Sequence, residues 1–167
     1  MDSHFRVGIG QDSHKIRFQV KKPLFLGGVV VDRNIEVEAN SDGDVILHAL
    51  FNALSSAIGG DSLGVYADEL CLKKGIKDSK EYIKVIMEKV LRTGFKVNNI
   101  SISVEAKKPK VNLKKIDQMK KTIGKLLSIP QNCVGITFTS GEELTSFGKG
   151  EGIQVLAMVS LVKNEKT

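Results

Sequence analysis

Ser41-Asp42-Gly43-Asp44-Val45-Ile46-Leu47-His48-Ala49-Leu50-Phe51-Asn52-Ala53-Leu54 reads as a helix start running into a helix. Ser and Asp side chains accept the free amide hydrogens of a first turn, so residues 41–44 mark where the helix begins. Leu47, Leu50, Phe51, Leu54 and Ile58 then recur at helical spacing until Gly59-Gly60 stops the run. Upstream, residues 6–10 alternate as a first strand. Residues 23–31, broken at Gly27-Gly28, read as a bent strand or hairpin arm with 35–38 as its partner. Downstream, 61–77 is loop-like and carries acids, and Ser79 caps a second helix with Ile83, Ile86, Val90 and Leu91 as its stripe and Gly94 as its end. Ile100, Ile102 and Val104 define a half-buried strand over 97–105, and Lys107-Lys108-Pro109-Lys110 is a turn. A third helix over 113–127 stops before Pro130, and 134–138 and 153–162 are the last strands. The order β-β-β-α-α-β-α-β-β predicts an α+β domain, a mixed β-sheet with helices packed on one side in a ferredoxin-like arrangement.

At 167 residues the chain is sized for one domain with one core. Its 41% hydrophobic and 26% charged residues match soluble globular usage, which excludes disordered and collagen-like chains. No apolar run is long enough to span a bilayer. The first residues show no secretory or Arg-rich transit pattern, so the expected location is cytoplasmic, or an organellar matrix if this is a processed mature form. Cys71 and Cys133 make neither a disulfide framework nor a zinc ribbon and are expected as reduced thiols. The net charge of +6 suits an anionic ligand. Much of it lies in Lys107 to Lys125, expected mostly as a solvated helix face.

Three histidines are present. His14 follows Asp12 by two residues, and in extended backbone such side chains point the same way. A helix packed beside that strand end would deliver His48 to the same point. Two imidazoles and a carboxylate leave a tetrahedral zinc ion one open position, as catalytic sites do. Taken alone, the same residues also fit unconnected surface and core positions. Asp44 shares a helix face with His48 and would hold its second ring nitrogen, or else serve only as a first-turn acid. His4 is expected to be inert. Thr137-Phe138-Thr139-Ser140-Gly141-Glu142 sets hydroxyls and a carboxylate at a strand end, where they suit phosphate oxygens and Mg²⁺. Gly148-Lys149-Gly150-Glu151-Gly152 precedes a strand and lacks Walker spacing, so it is no P-loop. Ordinary Gly- and Ser-rich turns also account for both segments.

Together these segments resemble one family, the 2-C-methyl-D-erythritol 2,4-cyclodiphosphate synthases. Val7-Gly8-Ile9-Gly10-Gln11-Asp12-Ser13-His14 is similar to its opening Gly-x-Gly-x-Asp-x-His, and Ser41-Asp42-Gly43-Asp44 through His48-Ala49-Leu50 to its Ser-Asp-Gly-Asp-x-x-x-His-Ala-Leu. Gly60-Asp61, Asp78-Ser79, Ala106-x-x-Pro109-Lys110 and Gly148-x-Gly150-Glu151-Gly152-Ile153 follow in family order. The resemblance implies a homotrimer with active sites between subunits. It also implies conversion of 4-diphosphocytidyl-2-C-methyl-D-erythritol 2-phosphate to the cyclic diphosphate and CMP, in non-mevalonate isoprenoid biosynthesis. It assigns Zn²⁺ to Asp12, His14 and His48, and Mg²⁺ or Mn²⁺ at the diphosphate to Glu142. Asn40 and Ser140 take the catalytic positions. Asp61, Ser62, Leu63, Tyr66 and Asp68 match the segment that holds the methylerythritol part, and Ala106, Pro109, Lys110 and Val111 the cytidine pocket. Ser13, Ser41, Thr139, Ser140, Ser146 and Lys149 are carried over as further substrate contacts.

The chain departs from the family pattern at several positions. Asn40 stands where a histidine is usual, and it can donate a hydrogen bond but carries no charge. Asn52 replaces an acid, the stretch after Asp61 and the stretch from Lys110 to Met119 are each one residue longer, and Phe138 takes a normally small position. Lys149 replaces arginine and loses its bidentate fork. Two other readings stay open: a divergent metal-dependent phosphohydrolase, and a basic trimeric RNA-binding module. RNA modules set aromatic platforms among basic residues, whereas aromatics are 5% here and residues 107–125 contain none. Neither nucleic acid nor membrane is an expected partner.

Overall fold

In the computed structural model, which describes residues 4–18, 22–67, 70–71 and 75–164, the first strand is far longer than its apolar pattern suggests. Strand β1 spans Phe5–Arg17 and pairs antiparallel along its length with β7, Gly152–Lys163. Short strands β2 (Leu24–Leu26) and β3 (Val29–Asp32) form a hairpin over Gly27-Gly28. Both glycines have positive φ, 59° and 75°, the backbone that a two-residue hairpin turn demands. Residues 23–31 therefore close on themselves. Strand β4 (Glu36–Val37), expected to partner them, pairs instead with the far end of β1, Ile16 facing Val37.

Helix α1 covers Val45–Ala57 and is capped by Asp44, whose side chain accepts from the Leu47 amide. The cap is thus the last residue of the Ser-Asp-Gly-Asp run. The expected loop after it contains a short helix α2, Leu63–Ala67. Helix α3 spans Ser79–Arg92, and its cap is Asp78 rather than Ser79. Strand β5 (Phe95–Glu105), helix α4 (Leu113–Leu127) and strand β6 (Val134–Thr139) form a crossover unit in which β5 and β6 run parallel. The turn between β5 and α4 holds a cis Lys108-Pro109 bond.

The main sheet has the order β4-β1-β7-β5-β6, mixed because only the β5/β6 pair is parallel. Ile100, Ile102 and Val104 of β5, with Ile153, Val155, Val159 and Leu161 of β7, bury one face of the sheet under α1, α3 and α4. A register shift between Val97 and Asn99 keeps Phe95 and Val97 on that face too, the compensation a bulge provides. The opposite face is apolar yet open: Val7, Ile9, Leu156 and Met158 are 46–66% exposed.

Candidate metal centre and its surroundings

The inward row of β1 reads Gly8, Gly10, Asp12, His14, Ile16. The two glycines let α1 lie directly on the strand. A Cβ at Gly10 would stand 2.2 Å from the Ala49 carbonyl oxygen, and one at Gly8 2.1 Å from that of Ala53. Ala49, Ala53 and Ala57, spaced four apart, supply the matching small stripe. His48, the neighbour of Ala49, is thereby carried to the next two inward positions of the strand.

There its Nδ1 lies 3.1 Å from Asp12 Oδ2 and 3.2 Å from His14 Nε2, and His14 Nε2 lies 3.2 Å from the same carboxylate oxygen. Ligand atoms about 2.0–2.1 Å from a tetrahedral ion stand roughly 3.3–3.4 Å from one another, so this triangle matches one face of such a coordination sphere. Burial pushes the Asp12 carboxyl up, but hydrogen bonds and charge from His14 and His48 outweigh it and hold the group at about 2. The cluster thus sets one charged carboxylate beside two imidazole rings, a group that could hold one metal ion. Glu142 is not part of this cluster.

The far side of the His48 ring corrects one expectation. Asp44 does not touch it. The buried Asp44 carboxylate accepts from the amides of Gly27 (2.8 Å), Gly28 (2.6 Å) and Leu47 (3.0 Å), tying the β2–β3 turn to the start of α1. A first-turn side chain folds back onto its own helix end, which removes it from the face where His48 points. Burial raises this carboxyl to about 6 despite the Gly28 and Leu47 amides that favour its charged form. His48 Nε2 instead meets Ser79 Oγ at 2.9 Å and Ser41 Oγ at 3.3 Å. Ser79 in turn gives its hydroxyl to Asp42 Oδ1 (2.5 Å) and its amide to Asp42 Oδ2 (3.0 Å).

The remaining candidate residues gather at two places. At the end of the sheet where β1, β5 and β6 finish and β7 begins, His14 faces Ile153, and Glu105 faces both Gln154 and Thr139. Ser13, His14 and Ser146 line one cavity of about 280 Å³ there. The Ala106 amide donates to Thr139 O and the Lys107 amide to Phe147 O, so residues 106–111 and 139–150 form one ridge. On it Ser140, Glu142 and Lys149 are exposed, as is Lys110, while Pro109 is buried and Val111 half-buried. Glu142 and Glu143 hold left-handed backbone, φ 45° and 64°, and Lys107 pairs with Glu143 at 2.6 Å.

The second place is the side of α1. Asp61 and Ser62 are exposed, Leu63 donates its amide to Asn52 Oδ1 (2.8 Å), and Asn52 Nδ2 donates to Gln11 O (3.1 Å). Tyr66 packs edge-on against Phe51 with Lys89 over its ring. Asp68 lies outside the described residues. Asn40 is exposed between β4 and α1, beside Ser41, whose carbonyl and that of Ala39 are held by Lys22 Nζ at 2.6 and 2.9 Å. Sequence reasoning missed Ser79, Asp42, Asn52 and Lys22 as parts of this environment. Asp78-Ser79 was visible as a motif, but its contact with His48 spans 31 residues and needs the packing of α3 on α1.

Fold and cluster together define a class: an α+β domain with a carboxylate and two histidines poised for one metal ion. Residues 5–162 match the YgbB family, and the chain belongs to that family. It is 42% identical over 160 residues to the 2-C-methyl-D-erythritol 2,4-cyclodiphosphate synthase of Chlamydia muridarum (strain MoPn / Nigg), covering 95% of this chain and 89% of that protein. Among solved structures it is similar to IspF of Plasmodium falciparum in a CDP complex, with TM-score 0.82, 26% identity, and 96% and 97% of the two chains covered. It is also similar to the bifunctional IspDF of Campylobacter jejuni, with TM-score 0.83 and 33% identity over 95% of this chain and 42% of that one.

Proposed function

We propose that the chain is a cyclodiphosphate synthase of isoprenoid biosynthesis. It converts 4-diphosphocytidyl-2-C-methyl-D-erythritol 2-phosphate into 2-C-methyl-D-erythritol 2,4-cyclodiphosphate and CMP. The carrying observation is the 3.1–3.2 Å triangle of Asp12 Oδ2, His14 Nε2 and His48 Nδ1, in a chain 42% identical to a protein of that name. These atoms would hold Zn²⁺, and Glu142 a Mg²⁺ or Mn²⁺ ion. Bound there, the ions withdraw charge from the phosphates.

In this reading the substrate's own 2-phosphate attacks its β-phosphorus, and CMP leaves. No protein nucleophile is needed, so the chain's part is to position and to stabilise charge. Thr139, Ser140 and Lys149 offer hydroxyl and ammonium donors on one exposed ridge, suited to phosphate oxygens. Ala106, Pro109, Lys110 and Val111 on the same ridge would hold the cytidine. Asn40 and Ser41 would donate to the reacting phosphates, with Ser13 and Ser146 flanking His14. Asp61, Ser62, Leu63, Tyr66 and Asp68 would take the polyol. The open apolar sheet face, with Val7, Ile9, Leu156 and Met158 exposed, supports a homotrimer that buries it and completes each site between neighbours.

The test is to strip the protein with chelator, supply the substrate with Zn²⁺ and Mg²⁺, and follow phosphorus resonances. CMP and a cyclic diphosphate appearing one for one is the expected result. CMP with a linear phosphate would define a hydrolase instead, and salt-dependent RNA binding without turnover a binding module.

A further inference from the structure

We infer that Ser79, held by Asp42, is a positioning residue that fixes the His48 ring with Nδ1 turned toward Asp12 and His14; this rests on the metal-site reading above. A serine hydroxyl has one proton to give. Here it goes to Asp42 Oδ1 at 2.5 Å, while the Ser79 amide donates to Asp42 Oδ2 at 3.0 Å. Asp42 is itself held, its Oδ1 accepting from the Asp44 amide and its own amide donating to Lys77 O. Toward His48 the Ser79 oxygen thus presents lone pairs only, at 2.9 Å from Nε2. In the metal-bound form the ring satisfies it by carrying its one proton on Nε2, which leaves the Nδ1 lone pair, 3.1 Å from Asp12 Oδ2, for the ion rather than for a proton. Turning the ring over would replace Nε2 by a carbon and leave the hydroxyl lone pair unmatched in a place where Ser79 is fully buried and His48 is 6% exposed.

Ser41 Oγ, at 3.3 Å, is the longer contact to the same nitrogen. Its hydroxyl also accepts from the Gly43 amide at 3.2 Å, and it has no carboxylate fixing its proton among the described contacts. The polarity of the Asp42–Ser79–His48 chain is therefore set from the Ser79 side. Hydrogen-bonded partners of this kind behind a ligating imidazole typically change metal affinity by about ten- to a hundredfold when removed.

The experiment titrates the metal-stripped full chain with Zn²⁺ against a chromophoric chelator, and records imidazole N–H resonances of the zinc-loaded protein. Wild type should bind one Zn²⁺ per chain and show a slowly exchanging His48 Nε2–H. Ser79→Ala should weaken Zn²⁺ by about ten- to a hundredfold and expose that proton to fast exchange, whereas Ser41→Ala should leave both nearly unchanged. Asp42→Asn, which sets an amide donor against the Ser79 amide, should shift affinity in the same direction as Ser79→Ala. Wild-type affinity and a protected N–H in Ser79→Ala would overturn the inference, even if its melting temperature falls. Should Ser79→Ala not fold, an unprotected His48 N–H in wild type or unchanged affinity in Asp42→Asn would overturn it as well. Failure of wild type to bind Zn²⁺ at all would remove the metal reading itself, and is seen before any variant is compared.

Discussion

Asp44 shows how a single carboxylate joins two elements: it caps α1 and receives the amides of Gly27 and Gly28 from the hairpin turn. Asp44→Asn sets an amide donor against one of three N–H groups, and should cost about 1–3 kcal/mol of stability by denaturant unfolding. Its folded-state value of about 6 lies above the ordinary 3.8 because of burial, so the folded chain keeps a proton that the unfolded chain releases. The group favours folding fully below about pH 3.8, and this is lost as pH rises through about 6. The stability of wild type minus that of Asp44→Asn should fall across that window and level off above it. A difference that climbs with pH would contradict the burial argument. Asn40 carries a different prediction. If this exposed position donates to the reacting phosphates, Asn40→His adds a charge-assisted bond worth about 1.5–3 kcal/mol, hence roughly ten- to a hundredfold in turnover, with zinc content unchanged. A shifted melting curve with unchanged turnover would make Asn40 merely structural. Asp12, His14 and His48 were legible from spacing and resemblance because histidine occurs only three times in the chain and Asp12 stands two residues before one of them. Ser79 was not, because a serine at a helix start already has a sufficient local explanation as a cap.

At the scale of elements, the meeting of α1 and β1 decides whether the ligands converge. The helix backbone lies where a Gly10 side chain would be, and neither the helix nor the strand can give way without moving His48 or Asp12. Gly10→Ala should therefore cost the upper end of the overpacking range, about 3 kcal/mol, and weaken zinc binding along with stability. A melting curve and a zinc titration on that variant check both; wild-type values in each would show that the close approach is dispensable. The elements missed in the sequence were missed for related reasons. Residues 11–15 of β1 are Gln, Asp, Ser, His and Lys, so the site's own polar side chains erased the apolar alternation that marks a strand. The partner of β4 was misjudged because residues 23–31 read as one arm, whereas positive φ at Gly27 and Gly28 folds them into a hairpin. Helices α1, α3 and α4 and strands β5 and β7 were legible because their apolar periodicity runs along most of their length, whereas α2, Leu63–Ala67, is too short to show one.

At the scale of the molecule, the described residues cover the sheet on one face only. Burying Ile9, Leu156 and Met158 removes apolar surface from water, the main driving force for association. If the proposed trimer buries this face, wild type should scatter light as a trimer and Ile9→Asp as a monomer, and the variant should lose turnover while still binding zinc, because all three candidate ligands come from one chain. A variant that stays assembled would place the interface elsewhere.

If Asp12, His14 and His48 of one chain hold a metal ion, anomalous scattering at the zinc edge from a crystal grown with zinc will locate it. One peak per chain is expected, about 2.0–2.2 Å from Asp12 Oδ2, His14 Nε2 and His48 Nδ1, with a fourth position left to solvent or phosphate. A peak bound by other side chains, or His14 and His48 turned to separate places with zinc present, would contradict it.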